Sequence, residues 1–92
     1  MNQTAGEHNE IVSQTKVVMY CNKWCPDCKA ARTWLSEHDI PYTEVDITTD
    51  INAARRVRMW GNGFQITPTF DINGEIVLDF DEEELSRILL KR

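Results

Sequence analysis

The chain has 92 residues, a formal net charge of -5, 41% hydrophobic residues and 27% charged residues. These values describe one small globular domain that buries about two-thirds of its unfolded surface. The acidic balance argues against nucleic acid or an anionic membrane as partner, since both select a basic face. The longest apolar run, Val17 to Cys21, is far short of the roughly 20 residues that span a bilayer.

Residues 1–14 are polar, with no period that would bury a face, and are expected to form a flexible tail ahead of a domain at 15–92. Residues 1–8 have neither the basic nor the apolar region of a secretory signal. The expectation is therefore a cytoplasmic protein whose thiols are kept reduced. Three clustered cysteines do not make a secreted disulfide scaffold; in a reducing compartment a close pair points to metal binding or redox chemistry.

Lys16 to Tyr20 is β-branched and apolar and predicts a buried strand. Pro26 suits the first turn of a helix, and Ala30, Ala31, Trp34, Leu35 and His38 recur at helical spacing. The helix should cover Pro26 to His38 and end at Asp39 before Ile40-Pro41. A second strand is predicted from Tyr42 to Ile47. Thr48, Thr49 and Asp50 offer caps for a helix from Ile51 to Trp60, and Gly61-Asn62-Gly63 stops it. A loop from Phe64 to Pro68 leads to a strand at Thr69 to Ile72. Asn73-Gly74 is a strong hairpin signal, so Glu75 to Asp79 should pair back antiparallel. Asp81 and Glu84 form an acidic variant of the capping box before a last amphipathic helix carrying Leu85, Ile88 and Leu89. The order is βαβαββα, an α/β fold with a four-stranded mixed sheet flanked by helices.

The chemistry concentrates in Trp24-Cys25-Pro26-Asp27-Cys28, directly after a strand and at the start of a helix. The unpaired N–H groups and positive dipole end of that helix favour a thiolate at Cys25. The thiolate is the nucleophile in disulfide exchange. Cys28 lies one turn on, about 5–6 Å away at side-chain level. Cys25 can attack a disulfide, and Cys28 can resolve the mixed disulfide by forming Cys25–Cys28. Lys23, Lys29 and Arg32 favour the thiolate, whereas Asp27 opposes it by charge. A zinc clip would need four ligands, and Cys21, His8 and His38 supply no second spaced pair. Cys21, Cys25 and Cys28 share the spacing of radical-SAM iron–sulfur loops, but those belong to much larger barrels. Cys21 is assigned no role; a bond from it to Cys25 has no support from spacing. Trp34 is expected in the core, Tyr20 in a packing role, and Trp60 in either the core or the surface.

Residues 16 to 91 resemble the glutaredoxin branch of the thioredoxin superfamily. The features are C-P-x-C after a strand, Ile66-Thr67-Pro68, and Phe70-Asp71-Ile72-Asn73-Gly74 in the terminal hairpin. Trp24-Cys25 and the stretch from Asn62-Gly63 to Thr67-Pro68-Thr69 are most similar to bacterial glutaredoxin-like proteins, mycoredoxin-like ones included. The resemblance implies a thioredoxin-like fold and a cis Pro68 facing the cysteines. It also implies that the Thr67 backbone pairs with the cysteinyl part of a bound thiol or peptide.

The activity so implied is reduction of protein disulfides, or of mixed disulfides with a low-molecular-weight thiol. It would use no cofactor beyond a redox-active Cys25–Cys28 disulfide. Glutathione, mycothiol, another small thiol or a flavoprotein reductase would supply electrons to an expected monomer. Lys23, Trp24, Pro26, Thr67, Pro68 and Asp81 are the expected substrate contacts. The chain departs from the family where a lysine commonly precedes the first cysteine by three residues, which here is Asn22. The usual Gly-Gly before the last helix is Leu78-Asp79, leaving Asp81 and Glu82 as the acidic part that meets a glutathione amine. Arg55, Arg56 and Arg58 offer a carboxylate contact or a solvated helix face. The alternatives are a thioredoxin-like reductase fed by a flavoprotein, and an iron–sulfur cluster module bridged through Cys25.

Overall fold

A computed structural model describes residues 15–90. The tail expected at 1–14 lies outside the described residues, as do residues 91–92. The elements run β1 (Val17–Cys21), α1 (Pro26–Glu37), β2 (Thr43–Asp46), α2 (Ile51–Trp60), β3 (Thr69–Ile72), β4 (Glu75–Leu78) and α3 (Glu82–Leu89). The sheet order is β2-β1-β3-β4. β1 pairs parallel with β2 and antiparallel with β3, and β4 returns antiparallel on β3. This is the mixed four-stranded α/β sheet of the thioredoxin-like fold.

The alternation of β1 divides the core in two. Val17, Met19 and Cys21 point to one face, where they meet Cys28, Ala31, Trp34 and Leu35 of α1 and Leu85 of α3. Val18 and Tyr20 point to the other face, against Ala53, Ala54 and Val57 of α2. Phe70 and Ile72 of β3 and Val77 of β4 extend the first cluster. Trp34 is buried as expected; Tyr20 packs edge-on against the half-buried Trp60, ring centroids 5.5 Å apart. Of the helical positions read from spacing, Ala31, Trp34 and Leu35 form the buried face, but Ala30 and His38 are exposed. The buried stripe of α1 starts instead at Cys28, which the spacing Cys28, Ala31, Leu35 satisfies equally well.

Local chemistry sets the boundaries. Asp50 caps α2 by accepting from the Ala53 N–H at 3.0 Å. Gly61 is its C-cap, at a position where a side chain would run into the Phe64 carbonyl. Asn73 and Gly74 both take positive φ, 52° and 93°, as a two-residue hairpin turn demands. Lys16 does not begin β1; it exchanges hydrogen bonds with Asn73 at the sheet end. Asp81 caps α3 through the N–H groups of Glu83 and Glu84. The reciprocal half of the capping box is missing, since the Glu84 carboxylate takes Arg87 at 2.6 Å instead.

Candidate active site

Cys25 is the N-cap of α1, in extended conformation, with Pro26 opening the helix behind it. Its Sγ lies 3.4 Å from the Cys28 backbone N–H group's nitrogen, which donates to it. The Cys25 thiol in turn donates to the Thr67 carbonyl at 3.4 Å, across 42 residues of chain. The bond to Thr67 uses the thiol's hydrogen, whereas the bond from Cys28 N–H serves thiol and thiolate alike. Thr67-Pro68 is a cis peptide, as the resemblance implies. Pro68 is buried, and its carbonyl accepts from Asp79 N–H at 2.8 Å, tying the loop to the end of β4. The Thr69 hydroxyl donates to the Ile66 carbonyl at 2.7 Å and closes the same loop.

The cysteine pairing differs from expectation. The disulfide joins Cys21 to Cys28, and Cys25 is the free, half-buried cysteine. The redox-active disulfide expected at Cys25–Cys28 is therefore corrected for this state of the protein. The reason lies in strand parity and helix phase. Cys21 follows Val17 and Met19 on the α1-facing side of β1, and Cys28 heads the sheet-facing stripe of α1. Their Cα atoms are 6.1 Å apart, within the range a disulfide bridges. The signal was present in the sequence, in the alternation Val17, Met19, Cys21.

The remaining expected site residues divide between the cysteines and the periphery. Trp24 is 73% exposed, with the Lys23 ammonium 5.5 Å from its ring centroid. Asn22, which replaces the family's lysine, accepts from the Trp24 backbone N–H at 2.9 Å and so shapes the loop entering the motif. Arg32 is committed to Glu44 by two hydrogen bonds, at 2.8 and 2.7 Å. That hydrogen bonding is the main reason its pKa lies above the ordinary arginine value, with a smaller contribution from the negative charge of Glu44. Thr48 holds Asp46, at the end of β2, below its ordinary pKa by side-chain and backbone hydrogen bonds, and Lys23 adds a weaker push. Asp81 is exposed, and its Oδ1 is taken up by the two α3 N–H groups.

The Gly-Gly replacement has a structural answer. Asp79 adopts φ 74°, the conformation a glycine takes most easily, and its own Oδ1 accepts from Phe80 N–H at 2.8 Å. The backbone shape is therefore kept with a different residue. Of the three arginines of α2, Arg56 lies over the Tyr20 ring at 5.6 Å and Arg58 donates to Gln65 at 3.2 Å. Pro26, Lys29, Ala30, Thr33, Trp34, Phe80 and Glu82 are among the residues lining a groove of about 390 Å³ on the outer side of α1. Among the described residues no group of three or more His, Cys, Asp or Glu is placed to hold a metal ion. Among the same residues no helix is long and apolar enough to cross a membrane.

The glutaredoxin family model matches residues 17–77. A thioredoxin-like protein designated BC3987 is similar in structure, with 30% identity and a TM-score of 0.71 over 79% of this chain and 99% of that one. The glutaredoxin from Methanosarcina mazei is also similar, with 26% identity and a TM-score of 0.70 over 80% of this chain and 77% of that one. Among curated proteins, the global transcriptional regulator Spx of Listeria innocua is 47% identical over 34 residues. That match spans 37% of this chain and 26% of the regulator.

Proposed function

The chain belongs to the glutaredoxin family of thiol–disulfide oxidoreductases, and we propose that it reduces protein disulfides, or mixed disulfides with a small thiol, through Cys25. The observation that supports this reading is the free Cys25 thiol at the head of α1, held between the Cys28 N–H and the Thr67 carbonyl. Cys25 attacks the substrate disulfide and forms a mixed disulfide, releasing one substrate thiolate. Cys28, when reduced, attacks the Cys25 Sγ, releases the second thiolate and leaves the protein oxidised by two electrons. Thr67 offers its backbone to the cysteinyl part of the substrate, beside Pro68. Pro26 fixes the helix start, Lys23 and Trp24 form the docking rim, and Asp81 and Glu82 lie toward a substrate amine. The protein works in the cytoplasm as a domain at 15–92, and its electrons come from a small thiol such as glutathione or mycothiol. With Asn22 in place of the family's lysine, and Arg32 tied to Glu44, a carboxylate on that thiol finds less cationic charge beside Cys25.

The test compares reduction of a glutathione mixed disulfide with reduction of insulin. Each is driven by glutathione with its reductase, by mycothiol with its reductase, or by thioredoxin reductase. Turnover of the mixed disulfide with a small-thiol donor, lost in Cys25→Ser, is the expected result. Activity with thioredoxin reductase alone would instead place the protein among thioredoxin-like reductases. No activity with any donor overturns the reading.

A further inference from the structure

Cys21 is fully buried, 0% exposed, and lies on the α1-facing side of β1, bonded to the residue that the proposed reaction uses to resolve its mixed disulfide. We propose that Cys21 is a third redox cysteine, which takes Cys28 from Cys25 and so returns Cys25 to the free thiol while the protein stays oxidised. The inference rests on the thiol–disulfide reading above and goes beyond it.

Cys28 holds both other cysteines, one through its sulfur and one through its backbone. Cys21 is bonded to its Sγ, and Cys25 is held against the Cys28 backbone by the 3.4 Å hydrogen bond. After one substrate disulfide is reduced, the protein holds a Cys25–Cys28 bond and a Cys21 thiol. The Cys21 thiol gives up its proton, balanced by the one that the departing Cys25 sulfur takes up, and the Cys21 sulfur attacks Cys28 Sγ. The Cys21–Cys28 bond forms, the Cys25–Cys28 bond breaks, and the Cys25 sulfur leaves with the electron pair and takes up a proton. No electron enters or leaves, so the step needs no further oxidant or reductant. The product is the arrangement in the structure: Cys21–Cys28 bonded, Cys25 free and half-buried at the helix N-terminus. Burial of both bonded cysteines, each 0% exposed, shields that bond from outside thiols and leaves Cys25 as the accessible sulfur.

The consequence is a count. A two-cysteine enzyme without an added electron donor releases one protein thiol and one glutathione per molecule from a glutathionylated substrate. It then stops as Cys25–Cys28 for the length of the burst, since glutathione at the enzyme's own concentration reopens that bond slowly. With the relay, Cys25 is released and attacks a second substrate molecule. It keeps the glutathione as a mixed disulfide that no internal thiol resolves, so two protein thiols are released per enzyme.

Trypsin reads the pairing directly, because Lys16, Lys23 and Lys29 place Cys21 on peptide 17–23 and both other cysteines on peptide 24–29. The full-length reduced protein is oxidised with one equivalent of diamide, quenched in acid, alkylated with excess N-ethylmaleimide near pH 6.5, and digested. The expected product is peptide 17–23 cross-linked to 24–29 with the alkyl group on Cys25. In parallel, the reduced protein without donor is mixed with excess glutathionylated substrate, and the burst of protein thiol is counted. Wild type should give about twice the burst of Cys21→Ala. A wild-type map showing only the bond within 24–29 and an alkylated Cys21, or equal bursts in the two proteins, overturns the relay. A burst that survives in Cys25→Ser overturns the underlying reading instead. The wild-type map needs no variant, so a Cys21→Ala protein that fails to fold leaves the proposal open to refutation.

Discussion

Thr69→Val strikes the loop that holds the Thr67 carbonyl against Cys25. Thr69 is 0% exposed, and its hydroxyl donates to the Ile66 carbonyl at 2.7 Å. Valine keeps the β-branched shape and the backbone preference, so the change isolates the hydroxyl. A neutral hydrogen bond contributes about 1 kcal/mol net, and a stranded buried acceptor costs about 1–3 kcal/mol. The bond is part-buried, between those two limits, and the loss should be about 1.5 kcal/mol. For a domain of this size that corresponds to a Tm lowered by roughly 6–12 °C, measured by circular dichroism on protein kept reduced with dithiothreitol. Because the freed segment is Ile66 to Thr69, kcat/KM for a mixed disulfide should fall by about tenfold, within the 100-fold that a misplacement of about 1 Å can cost. A Tm within about 2 °C of wild type together with unchanged kcat/KM would refute the assignment of the loop's rigidity to this hydroxyl.

Phe70→Ala opens the centre of the larger core cluster, where Phe70 is 0% exposed, and should lose about 3–5 kcal/mol in urea unfolding. Loss of the paired guanidinium in Arg32→Ala should cost about 1 kcal/mol at low salt, and most of that difference should vanish in 1 M NaCl, at about a 3 Å screening length. The Arg32 pKa is raised on folding, so its contribution is complete below the unfolded value and is lost only as pH rises through the still higher folded value. The Arg32→Ala difference should thus be flat from about pH 6 to 10; a slope in that window would contradict the pairing. Asp79→Gly should be as stable as wild type within about 0.5 kcal/mol, whereas Asp79→Ala, which must hold φ 74° without the Phe80 hydrogen bond, should lose about 1–2 kcal/mol. Chemical denaturation of the two variants side by side decides it.

What was legible in the sequence was local. The bounds of α2, the Asn73-Gly74 turn and the Asp81 cap follow from residues whose chemistry acts within a turn of the chain. Cys25 and Cys28 could be placed because the N-terminus of a helix is itself a local feature. The parallel β1–β2 pairing follows from the βαβ order of the elements, whereas the approach of Thr67 to Cys25 across the fold came from a resemblance rather than from periodicity. What escaped was the phase between two elements. Whether Ala30 or Ala31 is buried, and whether Cys21 meets Cys28, depends on how β1 and α1 face each other. A spacing rule along one element is silent on that. Arg32 escaped for the same reason: its partner Glu44 sits on β2, the neighbouring edge strand.

Trapping the mixed disulfide tests the central claim most directly, because it asks which sulfur attacks. Reduced Cys28→Ser protein, which lacks the resolving thiol, is mixed briefly with oxidised glutathione, quenched in acid and mapped by tandem mass spectrometry of peptides 17–23 and 24–29. One glutathione on Cys25 is the predicted result; glutathione on Cys21 with Cys25 untouched, or no adduct while small thiols in the same tube exchange, would contradict it.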